Sequence, residues 1–163
     1  MPDSLYIIDA NVVIEAANVY YGFDHVPGFW DWLSSECASG RVRSASLVQG
    51  EVDYPAELVE WLEDREDEDF FVDVSDPEIQ HEYRRLVAWV IDQDLGPEHV
   101  AKFLDGADLW IIATAIVEEA TVVTQEKAAG TGSRKVKIPD VCSAFGVRCI
   151  NTFTLISELE GRF

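Results

Sequence analysis

No run of about 18 apolar residues occurs in this chain, which leaves no sequence for a membrane-spanning helix. The first residues, MPDSLYIID, contain neither a basic stretch nor a long apolar segment, so they do not read as a secretory signal. The expected location is the cytoplasm. Cysteine is scarce: Cys37, Cys142 and Cys149 form no CxxC pair, and the last two are seven apart, a poor spacing for a zinc knuckle. They read as core or strand thiols in a reducing compartment. His25, His81 and His99 are scattered and form no HxxxH pattern, which argues against a histidine-built metal site. Positive charge is scarce beside negative. Twelve Lys and Arg face 31 Asp and Glu, a net charge of −19. Such a chain repels nucleic acid at long range. Any action on nucleic acid must therefore rest on a local basic patch, a metal ion or a partner.

The 163 residues, 48% of them hydrophobic, are enough for one domain with a real core. No repeat, linker or low-complexity tract divides residues 1–163. Leu5 to Ile8 reads as a buried strand ending at Asp9. A helical pattern follows from Asn11, whose side chain suits an N-cap. Pro27 opens a second helix that Gly40 closes. Arg41 to Ala45 alternates as a strand. Ser46 with Gln49 three residues on has the form of a capping box, opening a helix that carries Glu51. Residues 54–104 read as largely helical, with a short strand expected at Phe70 to Val74. Asp105-Gly106 breaks this stretch before a nearly all-apolar helix from Ala107 to Ala120. Thr121 to Thr124 and Val147 to Ile150 read as late strands, with a helix between them after Pro139 and another at Thr152 to Leu159. Strands alternating with helices predict an α/β fold in three layers, a central parallel sheet flanked by helices.

Four acids stand apart from the charge runs because apolar sequence surrounds them: Asp9, Glu51, Asp108 and Glu126. An ionised carboxylate in such surroundings is costly unless a cation joins it. Asp9, Glu51 and Glu126 fall at or just after strand ends, and Asp108 falls at a helix start. In open parallel sheets ligands gather beyond the carboxyl ends of the strands, so all four can line one crevice. Taken singly, each has a plainer reading. Asn11 either orients Asp9 or a metal-bound water, or only caps a helix. Glu51 suits the dipole of a helix's first turn. Asp105 as N-cap with Asp108 at N3 would stabilise a helix start without any ligand, or Asp105 is an auxiliary acid. Thr124 is placed to hold a carboxylate or a metal-bound water.

The order DANVVI, an acid after a strand and Ser46, then DLWIIATA, then VVTQE resembles the PIN-domain family, and in particular ribonuclease toxins of the VapC type. The tail KVKIPDVCSAFGVRCINTFTLISEL is similar to a subgroup of bacterial PIN proteins. The resemblance runs from Tyr6 to about Leu159 and is thinnest across Tyr54 to Leu104. It implies a PIN-like three-layer fold. It further implies that Asp9, Glu51, Asp108 and Glu126 are the catalytic, metal-binding acids, with Asn11, Ser46 and Thr124 as polar supports. Glu126 departs from the family's more usual Asp, and its extra methylene moves the oxygens outward, toward a water-mediated contact.

All-oxygen ligands suit Mg²⁺ or Mn²⁺, and the implied activity is hydrolysis of RNA phosphodiesters, leaving a 5′-phosphate and a 3′-hydroxyl. The basic segment Arg134, Lys135 and Lys137 is either a substrate-binding loop or an ordinary solvated one. The resemblance also implies a toxin–antitoxin pair, with a basic antitoxin filling the acidic groove, and a homodimer. Two other readings compete. A haloacid-dehalogenase-like phosphatase also opens with a strand ending in Asp, but DxDx[TV] is answered here by Asp9-Ala10-Asn11, without the second Asp. A catalytically silent PIN module would use the same surface to bind protein.

Overall fold

The computed structural model describes residues 4–129, 133 and 135–163. Five short strands form one all-parallel sheet: β1 (Tyr6–Ile8), β2 (Val42–Ala45), β3 (Phe71–Val72), β4 (Thr121–Val123) and β5 (Cys149–Ile150). Their order across the sheet is β3-β2-β1-β4-β5. Helices cover both faces, as parallel strands with two buried faces require. They are α1 (Ala10–Glu15), α2 (Pro27–Ala38), α3 (Ala56–Glu63), α4 (Pro77–Ile91), α5 (Pro97–Asp105), α6 (Asp108–Glu118), α7 (Ile138–Phe145) and α8 (Thr152–Glu158). The three-layer α/β architecture expected from the alternating pattern is the one present. Among the described residues, no helix is long and apolar enough to cross a membrane.

The strand order reverses between β1 and β4, which makes the crevice beyond their carboxyl ends the natural ligand site of such a sheet. Register fixes what meets there. Ile8 pairs with Val123, and the Asp9 amide donates to the Val123 carbonyl at 2.9 Å. The next residues along, Asp9 and Thr124, are therefore neighbours. On the other side, Ser44 of β2 donates its hydroxyl to the Ile8 carbonyl at 2.7 Å, which holds the end of β1 against β2.

Helix α6 runs through the core. Leu109, Ile111, Ile112, Ala113 and Ala115 are all buried, and each large aliphatic side chain taken out of water contributes roughly 1.5–3 kcal/mol. Trp110 lies on the flank of α6 facing α4, where its ring stacks on Tyr83 with centroids 3.7 Å apart and planes 7° from parallel. Burial of both faces of α6 fixes its start, and Asp108, its first residue, is fixed with it.

Several local readings of the sequence are corrected. Asp9, not Asn11, occupies the N-cap of α1, with its side chain accepting from the Ala10 amide. Residues Ser46–Glu51 form a 3₁₀ turn rather than a capped α-helix. The capping-box partner Gln49 instead gives its amide to Glu66. Pro55 follows too closely for a helix carrying Glu51 to extend, and short 3₁₀ segments suit such connectors. Asp105 ends α5, and Ala107 is the N-cap of α6. The reading of Asp105 as that helix's cap therefore fails. The helical pattern after Asn11 continues past Glu15 as a π-helical turn, Ala16–Tyr20.

Candidate functional site

The four acids come from four separate elements and meet at the β1/β4 switch point. Asp9 ends β1 and is 4% exposed. Its Oδ1 accepts from the Ala10 amide at 2.8 Å and its Oδ2 from the Thr124 hydroxyl at 3.1 Å. Asp108 opens α6 at N1 and is half-buried, where the positive end of the helix dipole faces it. Glu126 is half-buried two residues beyond Thr124, and its Oε2 accepts from the Ile138 amide at 3.0 Å. Glu51 is exposed at the end of the 3₁₀ turn. It reaches across to α6, accepting from the Ala107 amide through Oε1 at 2.7 Å. A glycine precedes Ala107: a Cβ at Gly106 would lie 3.1 Å from that same oxygen.

Thr124 is the hub of a polar relay. Its hydroxyl donates to Asp9 and accepts from Asn11 Nδ2 at 3.2 Å and from the Glu126 amide at 3.1 Å. Asn11 Oδ1 accepts from the Gln125 amide at 3.0 Å. The two possibilities for Asn11 are thus separated, since its carboxamide ties the end of β4 to the acid at the end of β1. Gln125, which sequence reasoning passed over, accepts from the Thr152 amide at 3.0 Å and carries the relay on to α8.

The charges act on one another. Burial pushes the Asp9 carboxyl up to about 7, and the nearby Glu126 and Glu51 charges add to that. The bonds from Thr124 and the Ala10 amide pull the other way without prevailing. Asp108 is also pushed up to about 7, by burial first and then by the charges of Asp9, Glu126 and Glu51. Lys137 is the cation that opposes this. One buried and one half-buried carboxylate with no ion-pair partner are what a hard divalent cation would relieve, and an all-carboxylate donor set suits Mg²⁺ or Mn²⁺. The donors therefore fit such an ion chemically. Among the described residues, however, no three acids, imidazoles or thiols already stand close enough to hold one. Glu51 and Glu126 spend their oxygens on backbone amides. Engaging an ion would draw them away from those donors.

A cleft of about 390 Å³ opens beside the acids, lined by Glu98, Asp108 and Glu126 together with His99, Lys102, Lys135 and Lys137. Lys135 and Lys137 thus share a cleft with two of the four acids. Arg134 lies outside the described residues. His99 and Lys102, one turn apart on α5, were not singled out from sequence, although their i, i+3 spacing places them on one face. The His99 Nε2 accepts from the Val136 amide at 3.0 Å, which ties the lysine-bearing segment to α5. Asp140 holds the same segment from the other end, accepting from the Lys137 and Ala129 amides at 2.8 and 3.0 Å. Of the remaining expected supports, Ser46 is exposed and makes no hydrogen bond to the four acids. Asp105 is exposed three residues before Asp108. Cys37 and Cys142 are buried in helices and Cys149 is half-buried in β5, all three as free thiols.

None of the curated proteins matches the chain. A family model described as a domain of unknown function (DUF4411) matches residues 6–163, nearly the whole of it, and the chain belongs to that family.

Proposed function

We propose that the protein is a PIN-like, Mg²⁺- or Mn²⁺-dependent ribonuclease that hydrolyses RNA phosphodiester bonds. One observation carries the reading. Acids from four separate elements, Asp9, Glu51, Asp108 and Glu126, are brought within electrostatic reach of one another at the switch point of a parallel sheet, where burial first and their mutual repulsion second raise Asp9 and Asp108. Such an arrangement is unfavourable for its own sake and makes sense as half of a site whose other half is a cation.

Asp9 and Asp108 would hold the ion, with Glu51 and Glu126 completing its surroundings. When bound there, such an ion would supply positive charge against the phosphodiester and would acidify water at the site. The chain's own residues do the positioning. Thr124 and the Ala10 amide fix both oxygens of Asp9. Asn11 locks Thr124 against rotation. The N-terminus of α6 sets Asp108, and Lys137 stands close enough to lower its pKa. Because Asp9 and Thr124 are both almost fully buried, bulk water has little access to the floor of the crevice.

The net charge of −19 supports a basic protein partner, as an antitoxin would be. Exposed Val19, Tyr20 and Phe153, with Tyr20 edge-on to Phe153 at 5.1 Å, offer an apolar surface for a second copy. A catalytically silent module of the same fold is the second reading, favoured by the absence of a ready-gathered ligand triad among the described residues.

The decisive experiment incubates labelled total RNA with the wild type, Asp9→Ala and Asp108→Ala proteins in Mg²⁺ or Mn²⁺. Discrete metal-dependent products from the wild type that disappear in both variants are expected. Folded wild type that binds Mn²⁺ yet cleaves no RNA would replace this reading with the silent module.

A further inference from the structure

Cys142 and Cys149 read from the sequence as ordinary core or strand thiols, but the fold brings them together. Cys142 lies in α7 and Cys149 in β5. The turn between them is tight, with the Val147 amide donating back to the Cys142 carbonyl at 2.9 Å. Strand β5 stands at the edge of the sheet, where Cys149 pairs with Val122 of β4. The Cys142 thiol donates a hydrogen bond to the Cys149 sulfur, which raises the first and lowers the second. Burial and the charges of Asp9 and Glu126 oppose that lowering without prevailing. The two sulfurs also differ in access. Cys142 is 0% exposed. Cys149 is half-buried and lines a second cleft, of about 400 Å³, with Thr124, Glu126, Lys127, Asn151 and Thr154. A reachable cysteine that favours its thiolate, beside a buried thiol that can resolve it, has the form of a redox pair.

We propose that Cys142 and Cys149 are a redox modification site, closed to a disulfide by hydrogen peroxide entering the second cleft, and that the disulfide restrains Glu126. The Cys149 sulfur attacks the peroxide, forming an S–O bond as the O–O bond breaks, and the departing hydroxide takes the thiol proton as water. The Cys142 sulfur then attacks the Cys149 sulfur. The S–S bond forms, the S–O bond breaks, and a second water carries off the Cys142 proton. Two thiols are oxidised by two electrons and one peroxide is reduced to two waters. A small neutral oxidant suits this cleft, since an anionic disulfide would meet Glu126 and the net charge of −19. The bond would be felt at the acids. Ile138, one turn before Cys142 on α7, donates its amide to Glu126 Oε2 at 3.0 Å. The Thr124 amide, two residues before Glu126, donates to the Ile150 carbonyl of β5 at 2.9 Å. Joining α7 to β5 therefore fixes the helix that holds Glu126 to the strand beside it, and Glu126 leaves the Ile138 amide for an ion less readily. The disulfide is independent of the ribonuclease reading, whereas its effect on ion binding rests on that reading.

The test treats the wild type with hydrogen peroxide, blocks free thiols with iodoacetamide and maps the tryptic peptides by mass spectrometry. Cleavage after Lys137, Arg148 and Arg162 places Cys142 in peptide 138–148 and Cys149 in peptide 149–162. The two should emerge joined after oxidation and separate after dithiothreitol, while Cys37, whose thiol burial pushes up, stays reduced. Cys142→Ala should instead gather a dimedone-reactive sulfenic acid at Cys149, and Cys149→Ser should leave Cys142 reduced. Calorimetry should then show Mn²⁺ binding weakened by about tenfold or more in the oxidised wild type, the size of effect expected when the surroundings of a ligand change, and unchanged in peroxide-treated Cys142→Ala. Irreversible oxidation of Cys149 with no joined peptides would overturn the pair. Joined peptides with unaltered Mn²⁺ affinity would overturn the restraint on Glu126. Joined peptides in a protein that binds no Mn²⁺ in either state would keep the disulfide and remove the ribonuclease reading.

Discussion

Replacing Asp9 by Asn should change not only the stability of the protein but the way that stability depends on pH. The folded protein keeps a proton on Asp9 up to about 7, whereas an unperturbed aspartate releases it near 3.8. Below about pH 4 the carboxyl is neutral in both states and no penalty arises. As pH rises the unfolded chain ionises first, so the folded state loses stability steadily until its own carboxyl ionises near 7. From about pH 5 to about pH 7 that is roughly two units at about 1.4 kcal/mol each, or about 3 kcal/mol. Asn carries no such term, and its presence also removes one of the charges raising Asp108. Against this gain stands a lost hydrogen bond. Thr124 already accepts from Asn11 and the Glu126 amide, which fills both lone pairs of its hydroxyl. An amide N–H at position 9 therefore finds either Thr124 saturated or the Ala10 amide pointing donor to donor, at about 1–3 kcal/mol. That loss is the same at every pH and cancels when two pH values are compared. In a chain of this size 1 kcal/mol moves the melting temperature by about 2–4 °C. Thermal unfolding followed by circular dichroism with EDTA should thus show Asp9→Asn gaining roughly 6–12 °C on the wild type between about pH 5 and about pH 8. A difference between the two proteins that is the same at both pH values would refute the argument.

Asn11→Ala should cut RNA cleavage by about tenfold or more while unfolding changes by about 1–2 kcal/mol, the size of two partly buried hydrogen bonds, with Asn11→Asp failing to restore activity because it cannot donate to Thr124. Gly106→Ala places a methyl 3.1 Å from Glu51 Oε1. Since Gly106 has a negative φ that alanine can adopt, the melting temperature should hold within a few degrees while Mn²⁺ affinity, read by calorimetry, falls. Unchanged affinity would mean that Glu51 takes no part in holding the ion.

Much of the fold was legible because it is written in short-range patterns. Pro77 and Pro97 mark the starts of α4 and α5, and the apolar runs at Tyr6–Ile8 and Thr121–Val123 are the central strands. Asp9 could be placed because an acid ending such a run has nowhere to go but the carboxyl end of the sheet. Glu51 was harder. Ser46 and Gln49 carry the spacing of a capping box, but Gln49 turns to Glu66, a partner 17 residues away that no local pattern announces. Asp108 was found for a sound reason, the apolar helix behind it, yet its supposed cap Asp105 belongs to the preceding helix. His99 and Lys102 stayed hidden because their significance depends on the segment around Val136 folding back onto α5. Sequence shows what a residue is; only the return of a distant segment shows what it faces.

The strand order has a consequence for timing. β1 lies between β2, which follows it closely, and β4, which is separated from it by more than 100 residues. The acids are divided in the same way, Asp9 and Glu51 in the first part of the chain and Asp108 and Glu126 in the last. During synthesis the first part can pair β1 with β2 but leaves the other edge of β1 bare until β4 emerges. That edge is a place where a stalled chain would join a neighbour. Asp9 and Glu51 already repel within the first part of the chain, and the repulsion is complete only when β4 docks and brings Glu126 to Asp9 and Asp108. Where that docking follows the rate-limiting step of folding, a bound cation would act chiefly on the rate of unfolding and lengthen the lifetime of the finished protein.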